Sequence, residues 1–115
     1  MGAERKRLLE LSRSDAEIQM SAVAWYEFVR GPRSPEMLGV ARTFLGDDGI
    51  VAFGETLAEA SAEVFRTVNR ARRRAADIAI AVTALVSGAT LMTRNARDFQ
   101  GIPDLVVEEV SSGLA

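Results

Sequence analysis

The sequence predicts an α/β fold with a mostly parallel central sheet and helices on both faces, and three observations carry that reading. Four short apolar runs alternate with stretches of helical periodicity, in the βαβ manner. Several of the helical stretches open on capping residues, and several end at glycine or Gly-Pro. The clearest unit is Asp77 to Phe99, where the stripe Ile78, Ala81, Val82, Leu85 recurs at helical spacing and Gly88 stands where the helix ends. A short apolar strand from Ala89 to Thr93 follows, then a polar turn at its carboxyl end. In open α/β sheets that end is where ligands bind.

The other elements follow in order. Residues 4 to 13 form a charged amphipathic helix with Leu8, Leu9 and Leu11 inward. Ile18 to Met20 reads as a strand passing straight into a helix capped by Ser21, ended by Gly31-Pro32, with Trp25, Phe28 and Val29 as its apolar face. Ser34 and Pro35 open the next helix as cap and first residue, and Met37, Val40, Ala41 and Phe44 supply its inward stripe. Gly46-Asp47-Asp48-Gly49 is a turn before the strand Ile50 to Phe53. Thr56 and Glu59 make a capping box for a helix to about Arg70. Gly101-Ile102-Pro103 turns into a last strand, Leu105 to Val110, and a ragged tail. Sheet order is not written in this pattern.

With 115 residues and 48% apolar content, the chain reads as one small domain able to bury a core. Its net charge of -2 advertises no polyanion partner, so any nucleic-acid contact must come from a local patch. No residue is cysteine or histidine, which removes the thiol nucleophile, the disulfide, the thiolate zinc site and the usual general base. Oxygen chemistry remains. The amino terminus shows no secretory signal and the longest apolar stretch, Ile78 to Val86, is too short to cross a bilayer, so a soluble cytoplasmic protein is expected, without membrane association.

Three acidic residues stand out by position. Glu27 lies on a helix that begins directly at a strand end, Asp77 in the first turn of its helix and Asp98 in the turn after a strand. Each has an ordinary reading: a solvated helix residue, a carboxylate favoured by the helix dipole, and a turn stabiliser. If the architecture gathers all three at strand carboxyl ends, they cannot all ionise without a compensating cation. Oxygen ligands without imidazole or thiolate favour Mg²⁺ or Mn²⁺, which can polarise a phosphodiester and activate water.

The segments SAVAWYEFVRG around Glu27, DIAIAVTAL from Asp77, and ATLMTRNARDF through Thr93, Asn95, Asp98 and Phe99 together resemble a PIN domain, and are most similar to the VapC toxins of bacterial type II toxin-antitoxin pairs. The resemblance runs over residues 8 to 110, and implies a three-layer fold around the central sheet. It matches Glu27, Asp77 and Asp98 to acidic residues of the family's catalytic metal site, and Thr93 and Asn95 to polar residues supporting it. It implies Mg²⁺- or Mn²⁺-dependent endoribonuclease activity, an RNA substrate, a cognate antitoxin and a homodimer. Without histidine, attack by water leaving a 5′-phosphate fits better than a 2′-hydroxyl mechanism.

Arginines at 70, 72, 73 and 74 precede Asp77, and Arg94 and Arg97 flank Asp98. They read either as solvated cations, as contacts to the RNA backbone, or, for Arg94 and Arg97, as receivers of an antitoxin carboxylate. Trp25, Phe28, Phe44 and Phe65 fall on apolar stripes and read as core, and Phe99 should pack behind the acidic turn.

One departure from the family stands out. The family begins with an apolar strand ending in an aspartate, central in the sheet, whereas Met1 to Arg7 is polar here. Neither Glu4 nor Glu10 replaces that aspartate. The expectation is a domain lacking its first strand, with exposed strand edges that favour dimerisation, weakened metal binding and impaired cleavage. A catalytically inactive binding or dimerisation module is the competing reading, and a nuclease acting outside a toxin pair is a third.

Overall fold

The computed structural model describes residues 2–69 and 71–110; Arg70 and the tail after Val110 lie outside them. The chain divides into two compact units, one of residues up to Ala52 and one of Phe53–Val110.

The first unit contains α1 (Ala3–Ser12), β1 (Met20–Ser21), α2 (Ala22–Val29), α3 (Pro35–Leu45) and β2 (Ile50–Val51). Ser21 does two jobs. It closes β1, and its Oγ accepts the Ala24 N–H at 3.0 Å, which starts α2 without an intervening loop. Ser34 caps α3 in the same way from Met37 N–H at 3.2 Å, with Pro35 in the first turn, where a missing N–H costs nothing. β1 and β2 pair in parallel, Met20 opposite Ile50 and Ser21 opposite Val51. Gly49 lets the chain enter β2 close to the end of α3: a Cβ there would lie 2.0 Å from the Leu45 carbonyl oxygen.

Burial in this unit departs from the expected stripes. On α3 Leu45 is buried and Leu38, Ala41 and Phe44 are half-buried, whereas Met37 and Val40 stay exposed, at 44% and 40%. Positions 38, 41 and 45 also follow helical period, so periodicity left two neighbouring stripes open and packing chose between them. On α1 the three leucines are half-buried and none is buried. Trp25 and Phe28 are half-buried and stack with ring centroids 5.7 Å apart, and the guanidinium groups of Arg42 and Arg33 lie over their rings.

The second unit contains α4 (Glu55–Phe65), a 3-10 turn at Ala71–Arg74, α5 (Ala75–Val86), β3 (Leu91–Thr93), a second 3-10 turn at Ala96–Phe99, and β4 (Val107–Glu109). The expected capping box is not formed. Gly54 is the N-cap without a side-chain bond, Thr56 is already helical, and α4 stops at Phe65. α5 is the best-buried element: Ala81 is 0% exposed, Ile78 1% and Val82 2%, with Ala79, Thr83 and Ala84 also buried. The Thr83 hydroxyl is satisfied inside the helix, donating to the Ala79 carbonyl at 2.8 Å. Gly88 terminates α5 with φ 66°. The Gly88 N–H reaches Leu85 O at 3.1 Å and the Ala89 N–H reaches Ala84 O at 2.9 Å, the paired bonds of a Schellman ending.

β3 and β4 pair in parallel, Leu91 opposite Val107 and Thr93 opposite Glu109. Among the described residues the strands form two parallel pairs, β1 with β2 and β3 with β4, of two or three residues each. Each is shorter than its apolar run because pairing, not apolarity, defines a strand's length. Ala81, Phe99 and Ile102 form a core cluster, with Val64, Ile80, Leu91 and Val107 packed against it. No helix among the described residues is long and apolar enough to cross a membrane.

Replacing Ile78 with alanine removes the most deeply buried large side chain and is expected to cost about 2–5 kcal/mol, read as a lower denaturant midpoint at unchanged slope. The Ser21→Ala change should cost about 1 kcal/mol through the lost cap, most of which Ser21→Asn retains.

Candidate functional site

Asp77 enters through its helix. The 3-10 turn Ala71–Arg74 leads directly into α5, making Asp77 the third residue of that helix. The N-cap Arg74 makes no side-chain cap bond, so the first-turn carboxylate is the acidic group set against the helix's positive end. Asp77 is half-buried, and the next residue, Ile78, points into the core. Its position is thereby tied to the best-packed helix of the unit.

Asp98 enters through a turn built by three neighbours. β3 ends at Thr93, whose Oγ1 accepts the Asn95 N–H at 3.1 Å. Across the strand pair, Glu109 Oε1 accepts the Ala96 N–H at 2.9 Å. The Asp98 N–H then closes the turn on Asn95 O at 3.1 Å. Phe99 is buried on Ala81 and Ile102, as expected of a residue packing behind the acidic turn. Asp98 itself is exposed.

Arg74 joins the two ends. Its Nη2 donates to the backbone carbonyls of Asp98, at 3.2 Å, and of Gln100. The residue at the N-cap position of the Asp77 helix therefore also holds the Asp98 turn. Bonds of this charge-assisted kind contribute about 1.5–3 kcal/mol each when solvent is excluded, and less at this exposed edge. Arg72, Arg73, Arg94 and Arg97 are exposed on the same unit. Arg70 lies outside the described residues.

Glu27 belongs to the first unit. It is half-buried on α2, with the Arg30 guanidinium at 3.8 Å, a long surface ion pair of small energetic weight. Thr93 and Asn95 stand where the sequence placed them, at the end of β3 and at the entry to the acidic turn. Glu109 and the bonding role of Arg74 were not visible in the sequence. The only sign of Glu109 was a carboxylate near the end of an apolar strand, and its opposition to Thr93 is a matter of register.

Oxygen donors alone suit a hard cation such as Mg²⁺ or Mn²⁺. In number the set is short: among the described residues, no three carboxylate, imidazole or thiolate groups gather closely enough to hold a metal ion. The chemistry of the donors fits the ion.

The family model described as the PIN domain matches residues 2–105. Among solved structures, the chain is similar to VapBC2 from Rickettsia felis bound to a DNA fragment from their promoter, with a TM-score of 0.64, 23% sequence identity, and coverage of 92% of this chain and 84% of that one. That likeness is one of fold. Among curated proteins, none matches the chain. A match over nearly the whole chain, together with an α/β fold of parallel strand pairs and Asp77 and Asp98 on elements joined through Arg74, leads to one assignment: the chain belongs to the PIN domain family.

Proposed function

We propose that this chain is an endoribonuclease of the VapC toxin type, dependent on Mg²⁺ or Mn²⁺. The observation that carries the reading is the link between the Asp77 helix and the Asp98 turn within a PIN-family chain. Asp77 and Asp98 are the carboxylates we assign to the ion, with Glu27 as the third. Thr93 and Asn95 keep the acidic turn in shape.

When bound, the ion supplies charge at the scissile phosphodiester and an acidified water. The chain's own contribution is placement. Asp77 is held by a packed helix and Asp98 by a braced turn, so neither has to be ordered anew when substrate arrives. Arg72, Arg73, Arg94 and Arg97 would meet backbone phosphates, which supplies affinity without base readout and makes binding salt-sensitive. An antitoxin protein is the proposed partner, since the similar solved fold comes from a two-component VapBC assembly. A homodimer and a cytoplasmic location complete the reading.

A second reading has its own support. The lack of a three-carboxylate gathering among the described residues favours a PIN fold retained for binding or dimerisation without catalysis.

Incubation of total RNA with the chain in Mg²⁺ or Mn²⁺, with EDTA and Asp77→Asn controls and end-group analysis, decides between them. The expected outcome is metal-dependent cutting that leaves 5′-phosphates. The Asp77→Asn variant should lose more than roughly 100-fold, the upper end of what changes one shell further out cost. Metal-independent cutting, or cutting untouched by Asp77→Asn, would overturn the assignment, and absence of cutting with intact RNA or antitoxin binding would favour the binding module.

A further inference from the structure

We infer that Arg74 and Glu109 are positioning residues that set the Asp98 turn against the amino-terminal end of the Asp77 helix. The inference rests on the reading of Asp77 and Asp98 as metal ligands, and adds two residues that act on the site through the backbone.

Ala96–Phe99 form a single 3-10 turn with no side-chain cap from Asn95, and the turn leaves an exposed carboxylate at Asp98. A segment that short has little stability of its own. Its geometry is borrowed from three places. Phe99 anchors it to the core from below. Glu109 reaches across from β4 and accepts the first free N–H of the turn, that of Ala96. Arg74 holds its far end through Asp98 O and Gln100 O.

The two side chains come from different elements. Glu109 sits opposite Thr93 in the β3–β4 pair, so its bond fixes the turn relative to the sheet. Arg74 is the N-cap residue of α5, so its bonds fix the turn relative to the helix that carries Asp77 three residues later. Together they determine how far the Asp98 backbone stands from the Asp77 helix. For a pair of carboxylates sharing one small cation, that spacing controls affinity, since hard cations tolerate little deviation in oxygen distance.

This assignment also gives Arg74 a sign that a simple charge would not. A guanidinium near an acidic site repels a divalent cation, so if Arg74 acted only as a charge, its removal would tighten metal binding. If Arg74 acts as a brace, its removal must weaken binding.

The test is Mn²⁺ titration of the full chain followed by paramagnetic resonance, beside hydrogen exchange of the Ala96 amide, in Arg74→Ala, Glu109→Ala and Glu109→Gln. Arg74→Ala and Glu109→Ala should each weaken Mn²⁺ binding by roughly 10–100-fold, the range for residues that orient ligands. Ala96 exchange should quicken in Glu109→Ala. Glu109→Gln keeps an acceptor oxygen, and should preserve both the slow exchange and most of the affinity. Tighter or unchanged Mn²⁺ binding in Arg74→Ala overturns the brace. Loss of affinity in Glu109→Gln with Ala96 still protected overturns it for Glu109, which would then act by charge. Should Glu109→Ala fail to fold, the Gln variant and Arg74→Ala still decide. Failure of the unsubstituted chain to bind Mn²⁺ overturns the metal-site reading and this inference with it, whereas normal binding that the variants leave intact overturns this inference alone.

Discussion

The packing of α5 is the constraint on which the second unit depends. Six of its twelve residues are buried, and Ala79, Ala81 and Ala84 among them are small enough to let neighbouring chain approach closely. Burying such a face stabilises by about 25 cal/mol for each square ångström of apolar surface removed from water, which exceeds what helix propensity supplies in a segment of three turns. The helix start is therefore fixed by tertiary packing. Asp77, in that first turn, inherits a defined place because Ile78 beside it is buried in the core. The Phe99 anchor works through the same helix, since its ring lies against Ala81.

The first unit is built on a different balance. Its buried residues are few, and its aromatic pair is roofed by arginine: Arg42 lies 4.8 Å from the Trp25 ring centre and Arg33 lies 4.4 Å from that of Phe28. The Arg33 guanidinium is further held by the Phe28 carbonyl at 3.1 Å. Such contacts contribute about 0.5–1 kcal/mol each at exposed sites, well below the burial of a large apolar side chain. Tyr26 remains 63% exposed with Arg30 over its ring. Local devices, chiefly the Ser21 and Ser34 caps, carry a larger share of the order here.

The acidic turn shows how charge and backbone geometry share one segment. An exposed carboxylate on a 3-10 turn would ordinarily sit on mobile chain, and the turn's own N–H and C=O groups would be left to water. Thr93, Glu109 and Arg74 take up those groups instead. The turn then presents Asp98 from a backbone bonded on both sides, which is the arrangement a binding group needs if it is to be ordered before its ligand arrives.

The sequence by itself determined the features that depend on residues within about a turn of one another. Ser21 and Ser34 declared the starts of α2 and α3, Gly88 the end of α5, and the position of Asp77 in a first turn followed from the stripe after it. The absence of cysteine and histidine restricted the chemistry to oxygen donors. The PIN resemblance was legible for the same reason, since its motifs are short segments whose order along the chain is plain. Tertiary structure alone decided which stripe of α3 faces inward, how the strands pair, and how the acidic turn is held. Arg74 meets Asp98 across 24 residues and Glu109 meets Ala96 across 13, distances at which no periodicity or cap relates one residue to another. The same holds for Thr93 opposite Glu109, a pairing between residues far apart along the chain.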